Sequence, residues 1–123
     1  MTQTQPALFV PHGAPTVALR PGAAGAAIAA AAGTLPLARA IVIVSAHWDT
    51  LLPTVGLADR PETIHDFWGF PEELYALRYP ATGCREAAEE VVAAIQNAGL
   101  PVERDPGRGL DHGAWVPLRL MFP

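Results

Sequence analysis

The four histidines of the chain are the side chains best suited to chemistry, and each lies in a short motif with glycine, acidic or aromatic neighbours. The motifs are VPHGAP with His12, SAHWDT with His47, TIHDFWGF with His65 and GLDHGAW with His112. A neutral imidazole binds transition metals, and it exchanges a proton near neutral pH. No histidine falls in the two segments that read as helices. This distribution favours a functional role over random placement.

Two of these histidines follow runs of apolar residues that resemble buried strands. ALFV at 7–10 leads to His12, and the β-branched run IVIV at 41–44 leads to His47. A run without alternation indicates a strand covered on both faces, which is typical of parallel sheets. Ligands bind beyond the carboxyl ends of such strands. We therefore expect both imidazoles on one rim, where they could share a metal ion. The alternative is that each is a structural imidazole with a hydrogen-bonded role.

The elements that would position these residues follow an α/β pattern, which predicts a partial, mostly parallel sheet flanked by helices. The strand 7–10, an alanine-rich helix at 21–33 and the strand 41–44 have the length of a right-handed βαβ unit. The clearest helix is 84–99, with an apolar stripe and a glycine at its end. Weaker patterns predict further strands at 53–58 and 100–105, a short helix at 72–76, and a last helix with Pro117 in its first turn.

Composition and net charge limit the classes of partner that the chain could bind. The formal net charge is −4 and the eight basic residues are scattered, so nothing indicates a nucleic-acid or anionic-membrane surface. The single cysteine, Cys84, excludes an internal disulfide. The N-terminus lacks the pattern of a secretory signal, and the uncharged stretch 21–38 is too weakly hydrophobic for a membrane span. We expect a cytoplasmic protein that binds a small molecule.

The motifs together also resemble a known family. HGAPT (12–16), SAHWDT (45–50), TIHDFWGFPEELYALRYPATG (63–83) and GLDHGAWVPLRLMFP (109–123) look like the successive motifs of the class III extradiol ring-cleaving dioxygenases, in the branch that resembles DOPA 4,5-dioxygenase. The resemblance covers nearly the whole chain. It implies cleavage of a catechol-type, DOPA-like aromatic ring with dioxygen.

The resemblance implies roles for particular residues. It assigns His12 and His47 as ligands of one catalytic ion, Fe(II) first and Zn(II) second. It also places His112 in the substrate pocket and His65 near that pocket. Of the histidines in the chain, His112 is the candidate for proton transfer or for stabilising bound oxygen. Asp66 and Trp48 are further pocket candidates, and Trp68 is another aromatic wall candidate. The alternatives are that Asp111 caps a helix beside a structural His112, that Asp66 fixes a loop, and that the tryptophans are core residues.

One departure from the family concerns length. Members of this branch are roughly twice as long, and their third metal ligand and a principal acid/base histidine come from the C-terminal half, beyond the position of Pro123. We therefore expect residues 1–123 to be a single, truncated catalytic domain. It should be weakly active or inactive alone, expose apolar surface, and self-associate or pair with a C-terminal half. A non-catalytic metal-binding or pairing fragment and a metal-dependent hydrolase remain the alternative functions.

Overall fold

The computed structural model describes residues 4–123 and has the α/β architecture that the sequence predicts. A two-stranded parallel sheet pairs β1 with β2 in the register Thr54 to Glu103 and Gly56 to Asp105. The elements, in chain order, are a 3₁₀ turn at Pro15–Ala18, α1 at Gly22–Ala32, β1 at Thr54–Gly56, α2 at Glu72–Tyr75, α3 at Arg85–Asn97, β2 at Glu103–Asp105 and α4 at His112–Met121. None of these helices has the length and apolar character needed to cross a bilayer.

The helix α3 connects the two strands and packs against β1. Val92 from its apolar stripe is buried, as the sequence predicts. The helix ends where expected, because Gly99 adopts a φ of +80°, which favours glycine. On the solvent-exposed side of α3, the carboxylate of Glu89 accepts two hydrogen bonds, from Nε and Nη2 of Arg104. These bonds lower the pKa of Glu89. The ion pair thus ties α3 to β2.

The buried core lies between α4, α2 and the 3₁₀ turn. Trp115 and Val116 of α4 and Leu74 of α2 are fully buried and form one cluster. The indole Nε1 of Trp115 donates a hydrogen bond of 2.8 Å to the carbonyl oxygen of Ile64, so burial leaves this donor satisfied. The helix α4 also packs along α1. The first turn of α4 is therefore held on a well-packed support.

The two segments predicted as buried strands, 7–10 and 41–44, are neither strands nor buried. Phe9 is fully exposed and Val44 is 93% exposed. A strand is defined by a ladder of backbone hydrogen bonds to a neighbour, and in the part of the chain that the structure describes neither segment forms such a ladder. The accessible surface of 8330 Å² accordingly exceeds by about 2,000 Å² the ~6,300 Å² expected for a monomer of this mass. The predicted βαβ unit around α1 is wrong, and the observed parallel pair encloses α3 instead.

The prediction for Pro117 is also wrong. The helix α4 begins at His112, so Pro117 is its sixth residue and lies beyond the first turn. Proline has no N–H, and the carbonyl of Gly113 therefore lacks its usual helical partner. The early start has a tertiary cause, because the carboxylate of Asp66 accepts a hydrogen bond from the backbone N–H of His112. Burial of Pro117 in the core accompanies this placement.

Candidate metal and substrate site

The structure brings His12 and His47 together at the ends of the two extended apolar segments. Their Nε2 atoms lie 3.0 Å apart. The Nδ1 atom of His12 lies 2.7 Å from the carbonyl oxygen of Gly13, and because a carbonyl can only accept, this nitrogen carries the proton. The Nε2 atom of His12 therefore keeps a lone pair that faces His47. A backbone partner on the far nitrogen is the usual arrangement for a metal-binding imidazole.

His112 completes a cluster of three imidazoles. It is buried at the start of α4, and its ring centroid lies 4.1 Å from that of His47 and 5.0 Å from that of His12. One nitrogen from each ring lies within 4.8 Å of the others. The cluster therefore has the donor atoms that a transition-metal ion prefers.

The spacing distinguishes the three imidazoles. Two nitrogens bound at about 2.1 Å to one ion lie ~3.0 Å apart at a right angle and at most ~4.2 Å apart. The 3.0 Å between His12 and His47 fits such a pair. The ligand atoms of all three imidazoles lie within 4.8 Å of one another, a little more than that limit. His12 and His47 are therefore the pair that has the spacing of two ligands on a shared ion, and the imidazole of His112 lies beside them.

Asp66 holds His112 at two points. Its Oδ1 accepts a hydrogen bond of 2.9 Å from the backbone N–H of His112, and its Oδ2 lies 2.9 Å from the Nδ1 of the same residue. Partial burial raises the pKa of Asp66, but the contacts with His112 outweigh it and the net pKa is lowered. With Nδ1 against Asp66, the Nε2 of His112 remains available to a ligand.

An open cavity of about 300 Å³ lies directly beside His112. Its wall is mostly aromatic, and Asp66 and His112 supply the polar groups. Phe67 presents its ring edgewise to His112 with 5.7 Å between centroids, and Trp68 is 87% exposed. The lining residues are Pro15, Asp66, Phe67, Trp68, Phe70 and His112. A small, flat aromatic molecule with polar substituents suits this wall.

Two of the predicted pocket residues lie outside this cavity. The Nε2 of His65 lies 2.9 Å from the carbonyl oxygen of Leu77, and its ring packs 5.6 Å from that of Trp115. Trp48 lies under the guanidinium of Arg108, whose Cζ is 5.1 Å from the ring centroid. Their assignment to the substrate pocket stays a prediction.

Sequence reasoning gave no role at the site to four residues that surround it. Phe67 and Phe70 line the cavity, and both stand in the TIHDFWGF motif, so the density of aromatics there was an available signal. Ser45 and Asp111 flank His47 and His112 in the chain and are hydrogen-bonded to each other. No local pattern indicated that contact.

Comparison with known proteins matches most of the chain to one family. Residues 7–123 match the family described as the catalytic LigB subunit of aromatic ring-opening dioxygenase. The chain belongs to this LigB family. The family resemblance seen in the sequence motifs is thereby confirmed.

Curated relatives carry matching names. The chain is 42% identical over 119 residues to the 4,5-DOPA dioxygenase extradiol of Escherichia coli K12, a match that covers 96% of this chain and 43% of the relative. It is 45% identical over 85 residues to the 4,5-DOPA dioxygenase extradiol of Mirabilis jalapa, and 49% identical over 86 residues to the dioxygenase tasH of Hapsidospora irregularis. Those two matches each cover 69% of the chain, and 32% and 26% of the relatives. The LigB-family chain thus spans less than half the length of these relatives.

Proposed function

We propose that this LigB-family chain supplies the metal- and substrate-binding part of an extradiol dioxygenase that cleaves catechol-type, DOPA-like rings. The observation that carries the proposal is the 3.0 Å separation of two imidazole Nε2 atoms next to an aromatic cavity. The names of the relatives support the DOPA-like substrate class. Dioxygen is the second substrate.

His12 and His47 are the proposed ligands of one divalent ion, Fe(II) first and Zn(II) second. Imidazole is a good ligand for both. When bound, a ferrous ion would lower the proton affinity of catechol oxygens and let electron density pass between the ring and dioxygen. Both imidazoles are accessible: His47 is exposed and His12 partly so. The ion site therefore opens to solvent and to a substrate that approaches from the cavity side.

His112 is the proposed proton acceptor for the catechol hydroxyl. Its Nε2 is free to take a proton, while Asp66 faces its Nδ1 at 2.9 Å. A carboxylate at that position orients the ring and stabilises the imidazolium that proton transfer creates. Phe67 and Trp68 would hold the aromatic ring of the substrate in the cavity by stacking and edge contacts.

The test is oxygen uptake after anaerobic loading with ferrous iron, with catechol or DOPA as substrate. We expect slow, catechol-dependent uptake and a ring-opened product. We expect His47→Ala to abolish the uptake, and His112→Ala to lower turnover by about 10²-fold to 10⁴-fold while iron stays bound. Uptake that is independent of catechol, or equal in wild type and His47→Ala, would refute the proposal. Iron binding without uptake, both alone and together with a chain equivalent to the remaining part of the longer relatives, would favour the non-catalytic alternative, and ester or amide hydrolysis would favour the hydrolase alternative.

We further propose that the exposed apolar segments 7–10 and 41–44 associate with another polypeptide. The two segments run in the same direction, since Gln5 donates a hydrogen bond of 3.1 Å to the carbonyl of Leu37 and His12 meets His47. They expose large side chains, including Phe9 and Val44. Unpaired extended backbone beside apolar side chains favours strand addition. The partner would be a second copy, or a chain equivalent to the remaining part of the longer relatives.

A further inference from the structure

We propose that Ser45, Asp111 and Gly113 position the imidazole of His47 through the first turn of α4. The inference rests on the proposed function, in which His47 is a metal ligand. These three residues do not line the cavity and do not belong to the histidine cluster. They are positioning residues, because they act through His47 and touch no substrate.

Asp111 is a buried carboxylate with two partners. It is 2% exposed and precedes the first residue of α4, but its side chain does not cap that helix. Instead, Oδ1 accepts a hydrogen bond of 2.5 Å from the hydroxyl of Ser45, and Oδ2 accepts one of 2.9 Å from Nη2 of Arg108. A buried charge needs such partners to offset its lost hydration. The hydrogen-bonding capacity of Asp111 is therefore directed at the segment that carries His47.

Ser45 transmits this constraint to His47. Since its hydroxyl proton goes to Asp111, its oxygen lone pair is free to accept, and the backbone N–H of His47 points to it at 3.2 Å. The two bonds fix the backbone at His47 relative to α4. Arg108 adds a second tie, because its guanidinium pairs with Asp111 and also lies over Trp48. The segment 45–48 is thus fastened to the start of α4 at two points.

Gly113 leaves the space into which Ser45 and His47 fit. A Cβ at this position would lie 2.5 Å from Oγ of Ser45 and 2.9 Å from Cδ2 of His47. The φ of Gly113 is not positive, so the backbone itself does not require glycine. Glycine is required here because the side chains of Ser45 and His47 approach this position closely. The ring of His47 consequently rests directly on the first turn of α4.

The consequence is an ordered metal ligand on an exposed segment. A side chain that orients a metal ligand typically changes metal affinity by about 10-fold to 100-fold when it is removed. We expect loss of the Ser45 hydroxyl to have an effect of this size on Zn²⁺ binding. The fold should be retained, because Ser45 lies outside the buried core cluster and Asp111 keeps its ion pair with Arg108.

The first experiment uses NMR on the metal-free chain and a Zn²⁺ titration of the same samples. In the wild type we expect a nuclear Overhauser contact between Hδ2 of His47 and the Hα protons of Gly113. Ser45→Ala should lose that contact and bind Zn²⁺ about 10-fold to 100-fold more weakly, whereas Ser45→Thr, which keeps the hydroxyl, should retain both. An unchanged contact and an unchanged affinity in Ser45→Ala would overturn the inference. If His47→Ala also binds Zn²⁺ like the wild type, the proposed metal site itself is wrong, which separates the two failures.

The second experiment compares Gly113→Ala with Gly33→Ala. Both glycines have negative φ and both changes favour helix, but a Cβ at Gly33 meets only a backbone oxygen at an ordinary 3.4 Å. We expect Gly113→Ala to shift the imidazole resonances of His47 and weaken Zn²⁺ binding, and Gly33→Ala to do neither. Equal behaviour of the two variants would overturn the inference, because it would mean that Gly113 does not determine where His47 lies.

Discussion

The contact between Asp66 and His112 links the stability of α4 to the state of one carboxylate. Asp66 accepts the backbone N–H of His112, the first residue of α4, from a position 46 residues earlier in the chain. It therefore serves as the helix cap that Asp111 does not provide with its side chain. Two substitutions separate its effects. Asp66→Asn keeps an oxygen that can accept the N–H and removes the charge, whereas Asp66→Ala removes both.

The expected losses of stability follow from the lost hydrogen bond and the lost charge. Loss of a side-chain cap costs about 1 kcal/mol, and loss of a negative charge at a helix N-terminus costs ~0.3–1 kcal/mol. At pH 7 we therefore expect Asp66→Asn to lower the free energy of unfolding by ~0.3–1 kcal/mol and Asp66→Ala by ~1–2 kcal/mol. Partial exposure of the carboxylate favours the lower half of each range.

The dependence on pH has a definite sign. The contacts with His112 lower the pKa of Asp66 in the folded state. A carboxyl whose folded pKa lies below its unfolded value of about 3.9 stabilises the fold above that pH. This contribution is lost as the pH falls through the folded pKa. The stability difference between wild type and Asp66→Asn should therefore shrink below about pH 4.

Urea unfolding followed by tryptophan fluorescence measures these differences, because Trp115 is fully buried. Comparing wild type with Asp66→Asn at each pH cancels the other carboxylates. Equal stability of wild type and Asp66→Ala at pH 7 would show that Asp66 does not cap α4. A difference between wild type and Asp66→Asn that does not shrink at all as the pH is lowered far enough to protonate the carboxylates would show that its charge is not involved.

Three further predictions concern the core, the cavity and the exposed segments. Leu74→Ala should lower the free energy of unfolding by about 2–5 kcal/mol, because Leu74 is fully buried in the central cluster; a cost below about 1 kcal/mol in urea unfolding would mean that this core is loosely packed. Trp68→Ala should weaken catechol binding about 3-fold to 10-fold and Trp68→Phe less, and equal binding constants from fluorescence titration would exclude Trp68 from the substrate wall. Phe9→Ser combined with Val44→Ser should reduce self-association in analytical ultracentrifugation, and an unchanged sedimentation profile would contradict the proposed association surface.

The sequence pattern predicted those elements that are determined by residues close together in the chain. The helix α3 follows from its apolar stripe and from Gly99, and α2 and both observed strands lie inside the ranges that the sequence indicated. The meeting of His12 and His47 was also predictable, because both follow extended apolar segments that run the same way. Predicting these features requires only the sequence within each segment and the rule that segments running in parallel end on the same rim.

Features with tertiary causes were not predictable. The β-branched run 41–44 shows a preference for a sheet interior, but it has no backbone ladder with any of the described residues and is not a strand. The start of α4 depends on Asp66, far away in the chain. Trp48 and Trp68 each stand near a histidine in sequence, yet only Trp68 lines the cavity while Trp48 lies against Arg108. No local signal separates those two tryptophans.

X-ray absorption at the zinc edge of the Zn²⁺-loaded chain tests most directly whether His12 and His47, and not His112, hold the ion. We predict two imidazole nitrogens at about 2.0–2.1 Å, with the remaining positions filled by oxygen. The same spectrum should appear for His112→Ala, and one imidazole should disappear in His47→Ala. Three imidazoles in the wild type, one of them lost in His112→Ala, would contradict the assignment, as would a spectrum that none of the histidine substitutions changes.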